Sequence, residues 1–230
     1  MSTNENPHAG HRQRLRDKFL KSGIEGFHDY EVIELLLTYA IPRRDVKPIA
    51  KDLLKRFKTY NGVLDATVEE LSSVEGVGEN AAALLSLIKA SGSYYLKENI
   101  MNRDFVTSPE DVISYLKTTL SGEKVEKFMA IFLSAKNEII GVEVLHEGTI
   151  DQTRVYPRKA IEEAFKHNAR SIIFVHNHPS GDPTPSPSDK ILTKNLEVAA
   201  NAVDIKVHDH IIIGRTSHFS GRENGWIRGE

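Results

Sequence analysis

Cysteine is absent from the 230 residues. That excludes disulfide frameworks, thiol catalysis and cysteine-ligated zinc, and it removes any hint of an oxidising compartment. Long apolar runs are also missing, since none approaches the roughly 18–20 residues that a spanning helix needs. A membrane is therefore not an expected partner. Neither sign of charge dominates: 30 Lys and Arg face 32 Asp and Glu, a formal balance of -2. No global field draws the chain to nucleic acid or to a lipid surface. The first residues, MSTNENPHAGHRQRLRDKF, contain no apolar h-region, so a secretory signal is not expected and a cytoplasmic protein is the reading. What is present, 40% hydrophobic and 27% charged residues, belongs to a folded, water-soluble chain. Its length allows one large domain or two small ones. Histidine and proline are concentrated between 176 and 187.

Two periodicities divide the chain. From 11 to about 98 the pattern is helical. His11 to Leu20 is rich in Arg and Lys, Tyr30 to Tyr39 is an apolar helix stopped by Pro42, and Val46 to Phe57 is amphipathic. Asn61-Gly62 is read as the break after that helix. Val68–Leu71 and Asn80–Leu96 complete the helical half. After Asn99, short runs rich in Ile, Val and Phe read as strands: 127–134, 139–145, 171–176, 204–207 and 210–213. Helices are expected at 157–167, opened by Pro157, and at 188–202. The fold class is α/β: a small all-α region, then a mixed-sheet layered domain. The boundaries read as a polar basic segment over 1–28, a helical domain over 29–99 and an α/β domain over 105–228.

In the helical half, LSSVEGVGENAAALLSLI sets Gly76 and Gly78 before a small-residue helix. Glycines leave amides uncovered, and the free N–H groups of a helix start suit a phosphate. The segment resembles the helix-hairpin-helix element of DNA-binding proteins, which grips the backbone without reading bases. Arg43, Arg44, Lys47, Lys51, Lys55, Arg56 and Lys58 outnumber Asp45 and Asp52 nearby, whereas Glu75 and Glu79 would repel phosphate. The plainer reading is a structural hairpin that lets two helices approach.

The strongest signal is His176-Asn177-His178, seven residues, Ser186, then Asp189. The strand SIIFV delivers His176, and in an extended chain positions i and i+2 project to one side. The loop PSGDPTP, stiffened by prolines, brings the next helix start and Asp189 back toward the same point. Two neutral imidazoles and a carboxylate suit zinc, with a fourth position open to water. Such a water needs a base. Glu143, a charge inside the run IIGVEVL, is the expected one, with Glu138 and Glu147 as alternatives. His208, Asp209 and His210 form a second cluster, read as support for the site or strand-end polarity ahead of an accessory metal site.

An upstream Glu with H-x-H, seven residues and S-x-x-D resembles the JAMM (MPN-plus) metalloprotease motif. More narrowly, HNHPSGDPTPSPSD, GVEVLHEGTID and HDHIIIG together resemble the RadC family, which joins a helix-hairpin-helix half to a JAMM half. The resemblance implies that His176, His178 and Asp189 ligate one Zn2+. It implies that Glu143 deprotonates the water and that Ser186 hydrogen-bonds the developing oxyanion. The function it implies is hydrolysis of an amide bond in a peptide or isopeptide substrate. The alternative is a DNA-binding, repair-associated module in which zinc mainly holds the fold, with non-specific DNA as partner.

Overall fold

The computed structural model describes residues 9–105, 109–148 and 157–227. The outermost parts of the expected segments, residues 1–8 and 228, lie outside the described residues, as do 106–107 near the boundary and 149–151 of the GVEVLHEGTID stretch. The chain divides into two compact units, Met1–Ser91 and Gly92–Glu230.

The first unit is helical: α1 (Ala9–Ser22), α2 (Asp29–Ala40), α3 (Lys47–Phe57), α4 (Tyr60–Leu64), α5 (Val68–Ser72) and the first part of α6 (Glu79–Ile100). Ile33, Leu37, Ile49, Leu53, Leu71 and Leu85 meet in its core. Glu31 reaches back to accept from the His28 N–H at the start of α2, which satisfies one of the N–H groups there. The helix α1 has little apolar surface beyond buried Leu15, and it is held by polar contacts instead. Arg12 donates to the carbonyls of Thr38, Ile41 and Arg44, and His11 Nε2 lies 2.7 Å from buried Glu34. The break expected at Asn61-Gly62 falls earlier. α3 ends at Lys58 with φ +73°, and Thr59 then caps α4 by accepting from the Gly62 N–H. A capping hydroxyl before Asn61-Gly62 restarts a helix where those residues alone would end one.

The second unit contains α7 (Pro109–Leu120), β1 (Lys127–Leu133), β2 (Ile139–Glu147), α8 (Pro157–Lys166), β3 (Ser171–Asn177), α9 (Pro187–Asn201), β4 (Lys206–Ile213) and β5 (His218–Ser220). The sheet order is β2-β1-β3-β4-β5. β3 and β4 are parallel and joined by α9, while the other neighbours are antiparallel. β1 and β3 read as continuous apolar runs because both faces are covered. On one face Met129, Ile131, Ile173, Val175 and Ile211 pack with Val112 and Leu116 of α7. On the other, Phe128, Phe132, Ile172 and Phe174 pack with Ala160 and Ala164 of α8 and Leu192 and Leu196 of α9.

β4 is one strand where two were expected. The interruption in its pattern is Asp209, whose buried carboxylate accepts from Ser220 Oγ and from the backbone N–H groups of His210 and Arg222. With three donors on its two oxygens, a carboxylate can stay inside a strand.

Candidate metal centre

The C-terminal end of β3 carries His176 on the face covered by α8 and α9. Its side chain is 1% exposed and its ring stacks on Phe128, the residue opposite it on β1. The chain leaves the strand through Asn177, whose side chain accepts the Lys127 N–H and donates to the Glu123 and Val125 carbonyls. His178 follows two residues on. Its Nδ1 donates to the Asp182 carbonyl at 2.8 Å, because a carbonyl can only accept; in the neutral ring that leaves a lone pair on Nε2 for a metal. Gly181, with φ +88°, turns the loop against Arg215, and Pro187 opens α9 in its first turn.

Ser186 and Asp189 form a capping box at that helix start. Asp189 N–H donates to Ser186 Oγ at 3.1 Å, and Ser186 N–H donates to Asp189 Oδ2 at 2.7 Å. The box fixes Asp189 so that its carboxylate meets both imidazoles. His176 Nε2 lies 3.4 Å from Oδ1 and His178 Nε2 lies 3.4 Å from Oδ2, while the two Nε2 atoms are 3.0 Å apart. Ligands about 2.0–2.1 Å from a tetrahedral zinc ion are separated by about 3.3 Å. The donor types and their spacing thus fit one small cation, and these three side chains can hold a metal ion.

The surrounding electrostatics agree. Burial alone would raise the Asp189 carboxyl, yet the His176 and His178 imidazoles beside it hold it well below the usual carboxylate range. The His178 imidazole is pushed up chiefly by its hydrogen bond with Asp189, with the Asp182 carbonyl and the charge of Glu126 adding. The cluster attracts positive charge.

Glu143 is not brought to this point. It sits on β2 opposite Ala130, two rows back along the sheet from His176. Its Oε1 lies 3.4 Å from His167 Nε2, and the His167 ring stacks on Phe132 with centroids 4.8 Å apart. Phe132 is four residues along β1 from Phe128, about 13 Å at strand rise. In this structure the Glu143 carboxylate is thus engaged with His167 on the side away from His176, not with the three donors. Of the alternatives, Glu138 is farther still, in the β1–β2 turn with Ser134, and Glu147 pairs with Lys127 at 3.7 Å.

The carboxylate that the fold sets beside the cluster is Glu126, which the sequence reading missed. It precedes β1 and, two residues before Phe128, projects to the same face. Phe128 pairs with His176, so Glu126, just before β1, lies at the end of the sheet where the chain passes from His176 to His178. Its charge is among those that push the His178 imidazole up. Its sequence signal was a charged residue directly before a fully apolar strand, a cue that needs the register to be read.

His210, on β4, is fully buried and lies 2.9 Å from His176 Nδ1. Burial pushes its imidazole well below the ordinary value. Asp209 faces the opposite side, so the expected second cluster splits between the two faces.

Comparison with known proteins places these two units. Residues 106–226 match the model of the RadC-like JAB domain, and residues 8–83 match that of the UPF0758 N-terminal region. The chain belongs to the RadC family. Other members are similar along nearly their whole length. UPF0758 protein FN0909 of Fusobacterium nucleatum is 40% identical over 230 residues, covering 97% of this chain and 99% of that protein. UPF0758 protein SPO0054 of Ruegeria pomeroyi is 41% identical over 217 residues, covering 94% and 97%. The JAB domain puts this RadC family member in the JAMM/MPN superfamily, and its His-His-Asp set stands at the motif positions read from the sequence.

In the first unit, Gly76 and Gly78 lie in the turn between α5 and α6, beside Arg44. Gly76 has φ +87°, and a Cβ there would come within 2.8 Å of Ile49, so its glycine is a requirement of the fold. A Cβ on Gly78 would meet nothing within 4 Å. No described helix is long and apolar enough to cross a membrane.

Proposed function

We propose that this protein is a zinc-dependent hydrolase of amide bonds, acting on a peptide or isopeptide. The observation that carries the reading is the convergence of His176 Nε2, His178 Nε2 and the Asp189 carboxylate within 4.8 Å of one another. His176, His178 and Asp189 would hold the ion. Bound there, zinc supplies Lewis acidity toward a carbonyl oxygen and brings the pKa of water to about 7. The rest is done by the chain. The Glu126 carboxylate takes a proton from the attacking water and delivers it to the leaving amine nitrogen. Ser186 Oγ already accepts from the Asp189 N–H, and among the described residues no acceptor takes its hydroxyl proton. That proton is donated to the substrate oxygen as negative charge develops on it.

The test is hydrolysis of a diverse peptide and isopeptide library by zinc-loaded protein, with chelator-treated protein beside it. Zinc-dependent cleavage of at least one linkage class is expected. A library left intact by protein shown to contain one zinc per chain contradicts the hydrolase reading.

A second reading, non-specific DNA binding through the turn before α6, is favoured by the position of Arg44 beside Gly76. Gly76 is unsuited to test it, because substitution strains the backbone whatever DNA does. Gly78→Val and Arg44→Gln are suited. Each is expected to weaken retention of duplex DNA several-fold at low salt, with the unfolding midpoint unchanged and affinity falling steeply as salt rises. Unaltered retention by both variants removes the turn from consideration.

A further inference from the structure

We infer that Thr193 and His210 act as positioning residues that fix the tautomer of His176, so that its Nε2 lone pair, not a proton, faces the metal centre. The inference rests on the proposed metal site and specifies how the chain prepares it.

The argument is a count of protons along one line of contacts. Thr193 Oγ1 lies 2.6 Å from the Asp189 backbone carbonyl and 2.6 Å from His210 Nδ1. Contacts that short between polar atoms each need a hydrogen between them. The hydroxyl has one, and the carbonyl has none to offer. The threonine proton therefore goes to the Asp189 carbonyl, and the proton in the second contact belongs to His210 Nδ1. His210 is wholly buried among Phe128 and Phe174, where a neutral ring is the stable form. With its proton on Nδ1, its Nε2 can only accept. The 2.9 Å contact with His176 Nδ1 is then a donation from His176 Nδ1–H, and the remaining His176 nitrogen is bare. His178 reaches the same state by a separate route, through the Asp182 carbonyl.

The line begins and ends at metal ligands. It starts on the backbone of Asp189, one turn before Thr193 on α9, and finishes on His176 at the end of β3. Reversing any one link reverses those after it. If His210 carried its proton on Nε2, it would donate to His176 Nδ1 and force a proton onto His176 Nε2, where the ion must sit. Outer partners of this type change metal affinity by roughly 10–100-fold when removed.

Thr193→Val keeps the shape and deletes the hydroxyl, freeing His210 to protonate on either nitrogen. Thr193→Ser restores it. His210→Phe suits the aromatic surroundings and serves as a second probe. Two quantities are read: ring-nitrogen chemical shifts in metal-free protein, which report the tautomer directly, and the zinc dissociation constant by competition with a chelator. Wild type is expected to show Nδ1–H at His176, His178 and His210. Thr193→Val should populate Nε2–H at His176 and weaken zinc about 10–100-fold, His210→Phe should weaken it at least as much, and Thr193→Ser should return both readouts to within about threefold of wild type. Nε2–H at His176 in wild type, or a Thr193→Val protein with wild-type shifts and affinity, overturns the inference. Correct tautomers in a protein that binds no zinc would instead support the relay and contradict the proposed metal function, so the two failures are distinguishable.

Discussion

In His176→Ala protein, added zinc should no longer raise the unfolding temperature. An ion that binds only the folded state stabilises it by about 4.1 kcal/mol at a free concentration 1,000 times its dissociation constant. For a unit of this size that corresponds to roughly 10 °C in the midpoint. His176 is the ligand whose loss removes most. Its ring is fully enclosed, it supplies one of three donors, and it is the hydrogen-bonding partner of His210. The variant leaves two donors and an open position that favours water over metal. It also leaves His210 Nε2 buried with its His176 contact gone, so the metal-free protein should itself lose about 2–4 kcal/mol of stability. Both effects are read in one experiment, by thermal unfolding with and without zinc. An undiminished zinc-induced rise in the variant would show that the stabilising ion sits elsewhere.

Glu126→Gln should leave zinc content and fold intact and reduce hydrolysis by about 10²–10⁴-fold, the usual contribution of a positioned proton acceptor. The amide keeps the shape and removes the basicity. Glu143→Gln is the control that gives the comparison its force. Its carboxylate is engaged with His167 over the Phe132 end of the sheet, so turnover should stay within about twofold of wild type and only a surface-exposed contact is lost. The register of β1 against β3 carries this contrast, because Phe128 opposite His176 puts Glu126, two residues earlier, at the histidine end of the sheet. Rates of both variants on the same cleaved substrate decide it. Loss of turnover in Glu143→Gln with retention in Glu126→Gln would reverse the assignment.

These two glutamates also show where sequence reading stops. Each is a charge next to an apolar strand, and only the cross-strand register tells how far along the sheet each lies from the histidines. The convergence of the three proposed ligands was legible because their geometry is local. His176 and His178 share a side through the period of a strand, and Asp189 and Ser186 sit in a capping box whose spacing is written in the chain. β1 and β3 were legible because burial on both faces leaves unbroken apolar runs. α1 gave no apolar stripe, since Arg12 and His11 dock it through carbonyls and a buried carboxylate. β4 read as two pieces because Asp209 is satisfied by groups far along the chain, Ser220 and Arg222. α7, with Val112 and Leu116 under the sheet, was missed although Pro109 followed by Glu110 and Asp111 is the kind of helix opening that was read at Pro157. His210 was noticed as one of a cluster, but its role depends on the Thr193 hydroxyl, seventeen residues away in sequence and 2.6 Å away in space.

The most direct measurement is X-ray absorption at the zinc edge on protein loaded with the ion, together with its metal content. The expected result is one zinc per chain in four-coordinate geometry, with two imidazole nitrogens and oxygen donors at about 2.0–2.1 Å. Protein that retains no ion after loading, or an ion whose spectrum shows no imidazole scattering, would contradict the metal centre on which the proposed hydrolysis depends.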